Sequence, residues 1–132
     1  YFFISPKEFE EKINKNYWHE YNCFIPEKKW YYGSSKPQYK SCNLFIKEPQ
    51  GVSLLSDEER EECLVVFINI DENIRRERMA TRKKNADSIS RRIEGDRKDF
   101  EGFTDYDLEI TDPEFNVKSI YNKICSYVKI TY

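Results

Sequence analysis

Leu64-Val65-Val66-Phe67-Ile68-Asn69-Ile70-Asp71 is the stretch that decides the fold class. Its first seven residues are apolar at nearly every position, with no polar alternation. That pattern predicts a strand covered on both faces, as in the centre of a parallel sheet. Asp71 is placed to cap a helix reaching about Arg82. A polar break follows at Lys83 to Asp87, then a second helix from Ser88 to about Phe100. Tyr106 to Ile110 reads as a further strand, expected to run parallel to the first. Asp112-Pro113 marks the start of a last helix, with Pro at its first position. Val117, Ile120, Tyr121, Ile124 and Val128 recur there at helical spacing and are expected to face the core. Strand, helix, helix, strand, helix in that order predicts an α/β layer with a parallel sheet.

Upstream the character changes. Tyr1 to Ile4 reads as a strand entered midway, with sequence expected before it. Ser5-Pro6-Lys7-Glu8 is a helix start, with a capping serine, Pro at the first helical position and Glu8 closing the box. That helix is expected to end near Asn14. Tyr17 to Ile25 is strand-like and aromatic, Pro26 to Lys29 is a charged turn, and Gly33-Ser34-Ser35 reads as a turn closing the strand from Trp30. Cys42 to Ile46 is a short apolar run that Gln50-Gly51 breaks. Ser56 and Glu59 form a second capping box. Residues 1–50 are therefore expected to form a small strand-rich lobe, and 51–132 a core sheet, within a single domain 1–132.

Composition narrows the function classes. Of the 132 residues, 39% are hydrophobic, 35% charged and 16% aromatic, a soluble globular balance. The net charge of −2 creates no bulk field demanding nucleic acid or an anionic membrane as partner. No apolar run reaches membrane-span length, and no export signal is visible. Cys23, Cys42, Cys63 and Cys125 lack C-x-x-C spacing, and His19 is the single histidine, so no metal site is expected. Reduced thiols, buried or partly buried, and a cytoplasmic location are the expectation.

Three features can carry chemistry. Arg75, Arg76, Arg78, Arg82, Lys83, Lys84, Arg91, Arg92, Arg97 and Lys98 fall within one helical pair at about 75–98. Arg75, Arg78 and Arg82 share a helix face, and guanidinium forks suit phosphate oxygens. Glu72, Glu77, Asp87, Glu94 and Asp96 are interleaved, so a solvated, self-neutralised face is the competing reading. Tyr32-Gly33-Ser34 can donate hydroxyls to a phosphate or a base edge, or form a plain turn. Glu20, after Tyr17-Trp18-His19, can accept from a base N–H and amine, or stand as an ordinary exposed strand carboxylate.

In order and spacing these features resemble the guanylate kinase family. Tyr1-Phe2-Phe3-Ile4-Ser5-Pro6-Lys7-Glu8-Phe9-Glu10 resembles the family's aromatic segment and helix opening. Asn16-Tyr17-Trp18-His19-Glu20 resembles the strand ending on a base-reading glutamate. Tyr32-Gly33-Ser34-Ser35 looks like the tyrosine-glycine-threonine/serine element, and Val66 to Ile70 like the strand before the lid. Arg78, Arg82 and Arg92-Ile93 fall where the family carries lid arginines. Tyr106 to Ile110 resembles its last core strand.

The resemblance implies a P-loop NTPase-like three-layer core with a parallel sheet, a small nucleoside-monophosphate-binding lobe and a helical lid. It implies transfer of phosphate from ATP to GMP, with ATP and Mg²⁺ bound in the complete enzyme. By resemblance, Tyr1, Glu20, Tyr32, Gly33, Ser34 and Glu48 would hold GMP or a related purine monophosphate. Glu20 and Ser34 would read the base, while Tyr1 and Tyr32 would contact the phosphate. Arg78 and Arg82 would bind the donor phosphates. Arg82 and Arg92 would act catalytically, Arg92 bridging the two phosphates. No G-x-x-x-x-G-K-[ST] loop occurs in residues 1 to 132, so this chain alone is expected to be inactive and to hold neither ATP nor Mg²⁺. The alternative implied by the same family is a non-catalytic module, like the membrane-associated guanylate kinase scaffolds, that binds phosphorylated peptides. Neither nucleic acid nor membrane is an expected partner.

Overall fold

The computed structural model describes residues 2–81, 86–114 and 116–131. It is a mixed α/β chain in two compact units, Tyr1–Lys47 and Glu48–Tyr132. One unit carries an antiparallel strand pair and the other a parallel pair.

The first unit is built on an aromatic seat. Helix α1 (Pro6–Asn14) has the expected serine cap and proline: Ser5 Oγ accepts from the Glu8 N–H at 3.2 Å and Pro6 occupies the first turn, whereas the Glu8 side chain, expected to close a capping box, pairs with Lys12 at 2.9 Å. Strands β1 (Trp18–Ile25) and β2 (Trp30–Ser35) pair antiparallel across a 3₁₀ turn at Pro26–Lys28. Phe9 of α1 is buried, stacking on Trp18 at 4.0 Å and on Tyr31 at 4.8 Å, and meeting Tyr21 edge-on at 6.1 Å. Such ring pairs each add roughly 0.5–1.5 kcal/mol beyond area burial. Lys29 Nζ and Tyr31 Oη both donate to Glu10 Oε1, at 2.8 and 2.9 Å, which ties the helix to the hairpin from a second side.

Gly33-Ser34-Ser35 is not the expected turn but the second half of β2, with Gly33 opposite Tyr21. The glycine serves close approach. A Cβ there would meet the Glu20 carbonyl oxygen at 2.8 Å, Tyr21 Cβ at 2.9 Å and Phe9 Cζ at 3.1 Å. Ser35 then caps α2 (Lys36–Ser41) in a full capping box with Gln38. Nor do Phe2 to Ile4, the described part of the strand expected over Tyr1 to Ile4, form one; Phe2 and Phe3 are exposed, with no neighbouring strand paired to them.

In the second unit, α3 (Pro49–Ser53) lies where Gln50-Gly51 was expected only to break the chain, and buries Gly51 and Val52. Helix α4 (Asp57–Glu62) has the expected Ser56–Glu59 capping box. Strand β3 (Val66–Ile68) pairs parallel with β4 (Leu108–Ile110), as expected, in the register Val66 to Leu108 and Ile68 to Ile110. Parallel pairing needs a crossover, supplied here by α5 (Glu72–Thr81) and α6 (Ala86–Asp99). Asp71 caps α5, accepting from the Asn73 N–H at 2.8 Å.

The expected full burial of Leu64 to Ile70 is not met. In a two-stranded sheet each strand is also an edge, and Ile68 is 47% exposed. Phe67 packs into a ring cluster with Phe100, Phe103 and Tyr106, at centroid distances of 5.5, 5.4 and 5.2 Å. Ile93 and Ile110 are fully buried.

The last helix, α7 (Val117–Thr131), starts later than Asp112-Pro113 predicts. Asp112 Oδ1 instead accepts from the Glu114 N–H at 3.1 Å, a local turn that competes with helix. Asn116 Oδ1 takes the capping place, accepting from the Ser119 N–H at 3.0 Å. Of the five residues expected in the core, Ile120 is buried and Ile124 half-buried, whereas Val117, Tyr121 and Val128 are exposed. Cys23, Cys63 and Cys125 are partly buried free thiols, and Cys42 is exposed.

An arginine clamp closes the base of the parallel pair. Arg60 donates to Asp105 at 2.8 Å and through both terminal nitrogens to Asp107, at 3.0 and 3.1 Å. Asp107 Oδ2 also accepts the Val65 N–H at 2.7 Å. Burial works to raise the Asp107 carboxyl, but the Arg60 guanidinium and that N–H outweigh it and hold the group below its usual value.

Two stability predictions follow from these packings. Gly33→Ala is expected to cost about 1–3 kcal/mol, because backbone and helix must both give way; urea denaturation checks it, and an unchanged midpoint contradicts the close seat. Asp107 binds its proton less readily folded than unfolded. Its contribution is therefore full above the unfolded value of about 3.9 and is lost as pH falls below it. Melting temperatures between about pH 6 and pH 2.5 should fall less steeply for Asp107→Asn than for wild type. Parallel curves would refute the clamp's role.

Candidate functional site

The hairpin of β1 and β2 has two differently furnished faces, and a one-residue irregularity separates them. Trp18 pairs with Ser35 but Glu20 with Ser34, so β1 carries an extra residue at His19. Side chains alternate along a strand, so without this bulge Trp18 and Glu20 would share a face. With it, Trp18 joins Tyr21, Tyr31 and Gly33 towards α1, while Glu20, Asn22, Tyr32 and Ser34 line the opposite face.

On that opposite face Ser34 Oγ donates to Glu20 Oε1 at 2.8 Å. Lys47 Nζ donates to the same oxygen at 2.7 Å. The side chains of Lys47 and Glu20 are only 12% and 17% exposed, so this ion pair is largely withdrawn from water. Beside it runs a short aromatic stack: His19 on Tyr39 at 3.5 Å, and Tyr39 on Phe45 at 4.8 Å. The Lys47 ammonium lies 5.9 Å from the Tyr39 ring and 5.6 Å from the Phe45 ring. A carboxylate, an ammonium, a hydroxyl and flat apolar surface are thus gathered in one place. Together they offer both hydrogen-bond polarities to a planar heterocycle.

Of the residues singled out for the monophosphate, Glu20 and Ser34 are brought together, and Tyr32 shares their face in an exposed position. Gly33 contributes backbone between them and faces α1. Glu48 is exposed and precedes α3 in the second unit. Tyr1 lies outside the described residues. Sequence reasoning missed Lys47 as a partner of Glu20. The two are 27 residues apart, and Lys47 sits in an irregular segment with no periodicity to flag it.

The basic helical pair resolves into two groups. Glu72 at the start of α5 accepts two bonds from Arg97 near the end of α6, at 2.6 and 2.7 Å, and one from Arg76 at 3.0 Å. Arg75 donates to Asp96 at 2.9 Å and to the Ile70 carbonyl oxygen at 3.1 Å. These bonds make α5 and α6 an antiparallel hairpin. Arg97 first, then Arg76, holds the Glu72 carboxyl below its usual range. For Arg75, Arg76 and Arg97 the self-neutralised reading therefore describes the structure. Arg78 Nη2 donates to the Pro113 carbonyl oxygen at 2.9 Å. Arg91 and Arg92 are exposed on α6, and Arg82, Lys83 and Lys84 lie outside the described residues.

Residues 1 to 132 contain no G-x-x-x-x-G-K-[ST] loop, and among the described residues no three His, Cys, Asp or Glu side chains gather in one place. Among the described residues no helix is long and apolar enough to cross a membrane. Comparison with protein-family models, with curated proteins and with solved structures finds no match.

Proposed function

We propose that the chain is a guanylate-kinase-like module whose first unit binds a purine nucleoside monophosphate, as part of a nucleoside-monophosphate kinase with a P-loop-type core. The observation that carries this reading is the pairing of Glu20 with Ser34 across the hairpin, 2.8 Å apart and partly buried. These are the two residues that the family resemblance assigns to the base, and nothing in their sequence separation requires them to meet. Tyr32 on the same face supports a phosphate contact. The antiparallel α5–α6 hairpin, with Arg78 and Arg92 on it, supports a lid. Phosphoryl transfer asks little covalent chemistry of the protein and much positioning and charge.

The phosphopeptide-binding module of the same family is the second reading, because an ammonium and two hydroxyls at one face suit a phosphorylated side chain as well as a nucleotide. Titration with GMP and with a phosphoserine peptide separates the two.

Glu20→Ala is expected to weaken GMP binding by about tenfold or more and AMP binding much less, because only guanine offers a ring N–H to the carboxylate. Equal losses for both nucleotides would remove the base-reading role. The 132-residue chain is expected to release no ADP from ATP in a coupled assay with GMP, since alignment of the reactants can be worth about 7 kcal/mol or more of barrier. Robust turnover would overturn that. With a phosphate-loop segment supplied, Arg92→Lys should still lower turnover by about tenfold or more, because a point charge cannot replace a two-pronged fork. Full activity of that variant would remove the role given to Arg92.

A further inference from the structure

We infer that Lys47 and Glu20 act as one reader of the oxo–NH edge shared by the 6-oxopurines, so that the site accepts inosine and guanosine monophosphates alike and rejects adenosine monophosphate. This rests on the nucleotide-binding reading above and narrows its ligand class.

A carboxylate that reads guanine alone spends one oxygen on the ring N–H and the other on the exocyclic amine. Here one oxygen is already spent. Glu20 Oε1 accepts from Lys47 Nζ at 2.7 Å and from Ser34 Oγ at 2.8 Å, which uses both of its lone pairs. No described residue donates to Oε2. Among the described residues no buried polar side-chain atom lacks a partner, so Oε2 is not sealed from an incoming ligand. One carboxylate oxygen is on offer, not two.

Lys47 supplies the complement. An ammonium carries three donors. One goes to Glu20, and the Tyr39 and Phe45 rings flank the group at 5.9 and 5.6 Å. A remaining donor beside Glu20 Oε2 makes a donor–acceptor pair. A 6-oxopurine answers it, with O6 accepting from Lys47 and N1–H donating to Glu20. Adenine presents the reverse polarity at both positions, an amine towards the ammonium and a bare ring nitrogen towards the carboxylate. With Lys47 and Glu20 only 12% and 17% exposed, water is poorly placed to relieve that mismatch. The 2-amino group of guanine finds no second carboxylate oxygen to itself and must share Oε2 with N1–H, so its removal in hypoxanthine costs little.

Calorimetric titration of GMP, IMP and AMP into the 132-residue chain tests this. GMP and IMP should bind within about threefold of each other, and AMP about tenfold or more weaker. Lys47→Met should weaken GMP and IMP to a similar extent, by about tenfold. A preference for GMP over IMP of about tenfold or more would leave the nucleotide reading intact and overturn this one. So would a Lys47→Met variant that binds GMP more tightly, because Lys47 would then be a competitor for Glu20. Failure of all three monophosphates to bind removes the nucleotide reading and this assignment with it. The comparison of GMP with IMP on the unmodified chain needs no variant to fold.

Discussion

Everything in the first unit depends on how closely Phe9 can approach the β-hairpin. The ring is held among Trp18, Tyr21 and Tyr31 because position 33 has no side chain to keep it away. That seat commits Trp18 and Tyr21 to the helix-facing side, although their parity along β1 would place them on opposite faces. The extra residue at His19 resolves the conflict, and in doing so turns Glu20 outward onto a face it would otherwise not occupy. The polar site is in this sense a by-product of apolar packing. The aromatic seat sets where the strand must slip, and the slip sets where the carboxylate points.

Charge is used differently in the two units. In the second, Arg60, Arg75, Arg76 and Arg97 are bound to carboxylates of their own unit and hold elements together. Most of these pairs are partly exposed, so each adds little, and their value lies in fixing orientation. In the first unit the Lys47–Glu20 pair is better shielded and has apolar rings beside it. A shielded pair holds its geometry more firmly, and its remaining hydrogen-bonding capacity is correspondingly more selective.

Much of the local architecture was legible in the sequence because it is written in short-range chemistry. Ser5 with Pro6, Ser56 with Glu59, and Asp71 all cap helices where their residue types predict. The parallel pairing of the Val66 and Leu108 strands follows from an apolar run separated by two helices. Errors arose where two local signals compete. Gly33 carries a turn signal, but packing against Phe9 decides for strand. Asp112-Pro113 carries a helix-start signal, but the aspartate closes its own turn first, and Asn116 caps instead. Glu20 and Ser34 were identifiable singly, whereas Lys47 reaches them through tertiary folding that no period or spacing encodes. Which arginines of the basic pair are spent on carboxylates was equally invisible, because a list of interleaved charges does not say which ones meet.

The Arg60 clamp has a temporal consequence. It joins residues 45 and 47 positions apart, and the Val65–Asp107 bond spans 42. Bringing such distant segments together costs chain entropy that grows slowly with the length of the loop between them. The α5–α6 hairpin lies inside that loop, and the bonds that join it, Arg75 to Asp96 and Arg97 to Glu72, span 21 and 25 positions, so it closes a shorter loop than the clamp does. Once formed, it shortens the effective tether between β3 and β4. A shorter loop closes at lower entropic cost, so loop lengths favour the hairpin before the strands and the guanidinium last, with the clamp locking a sheet that the hairpin has brought within reach.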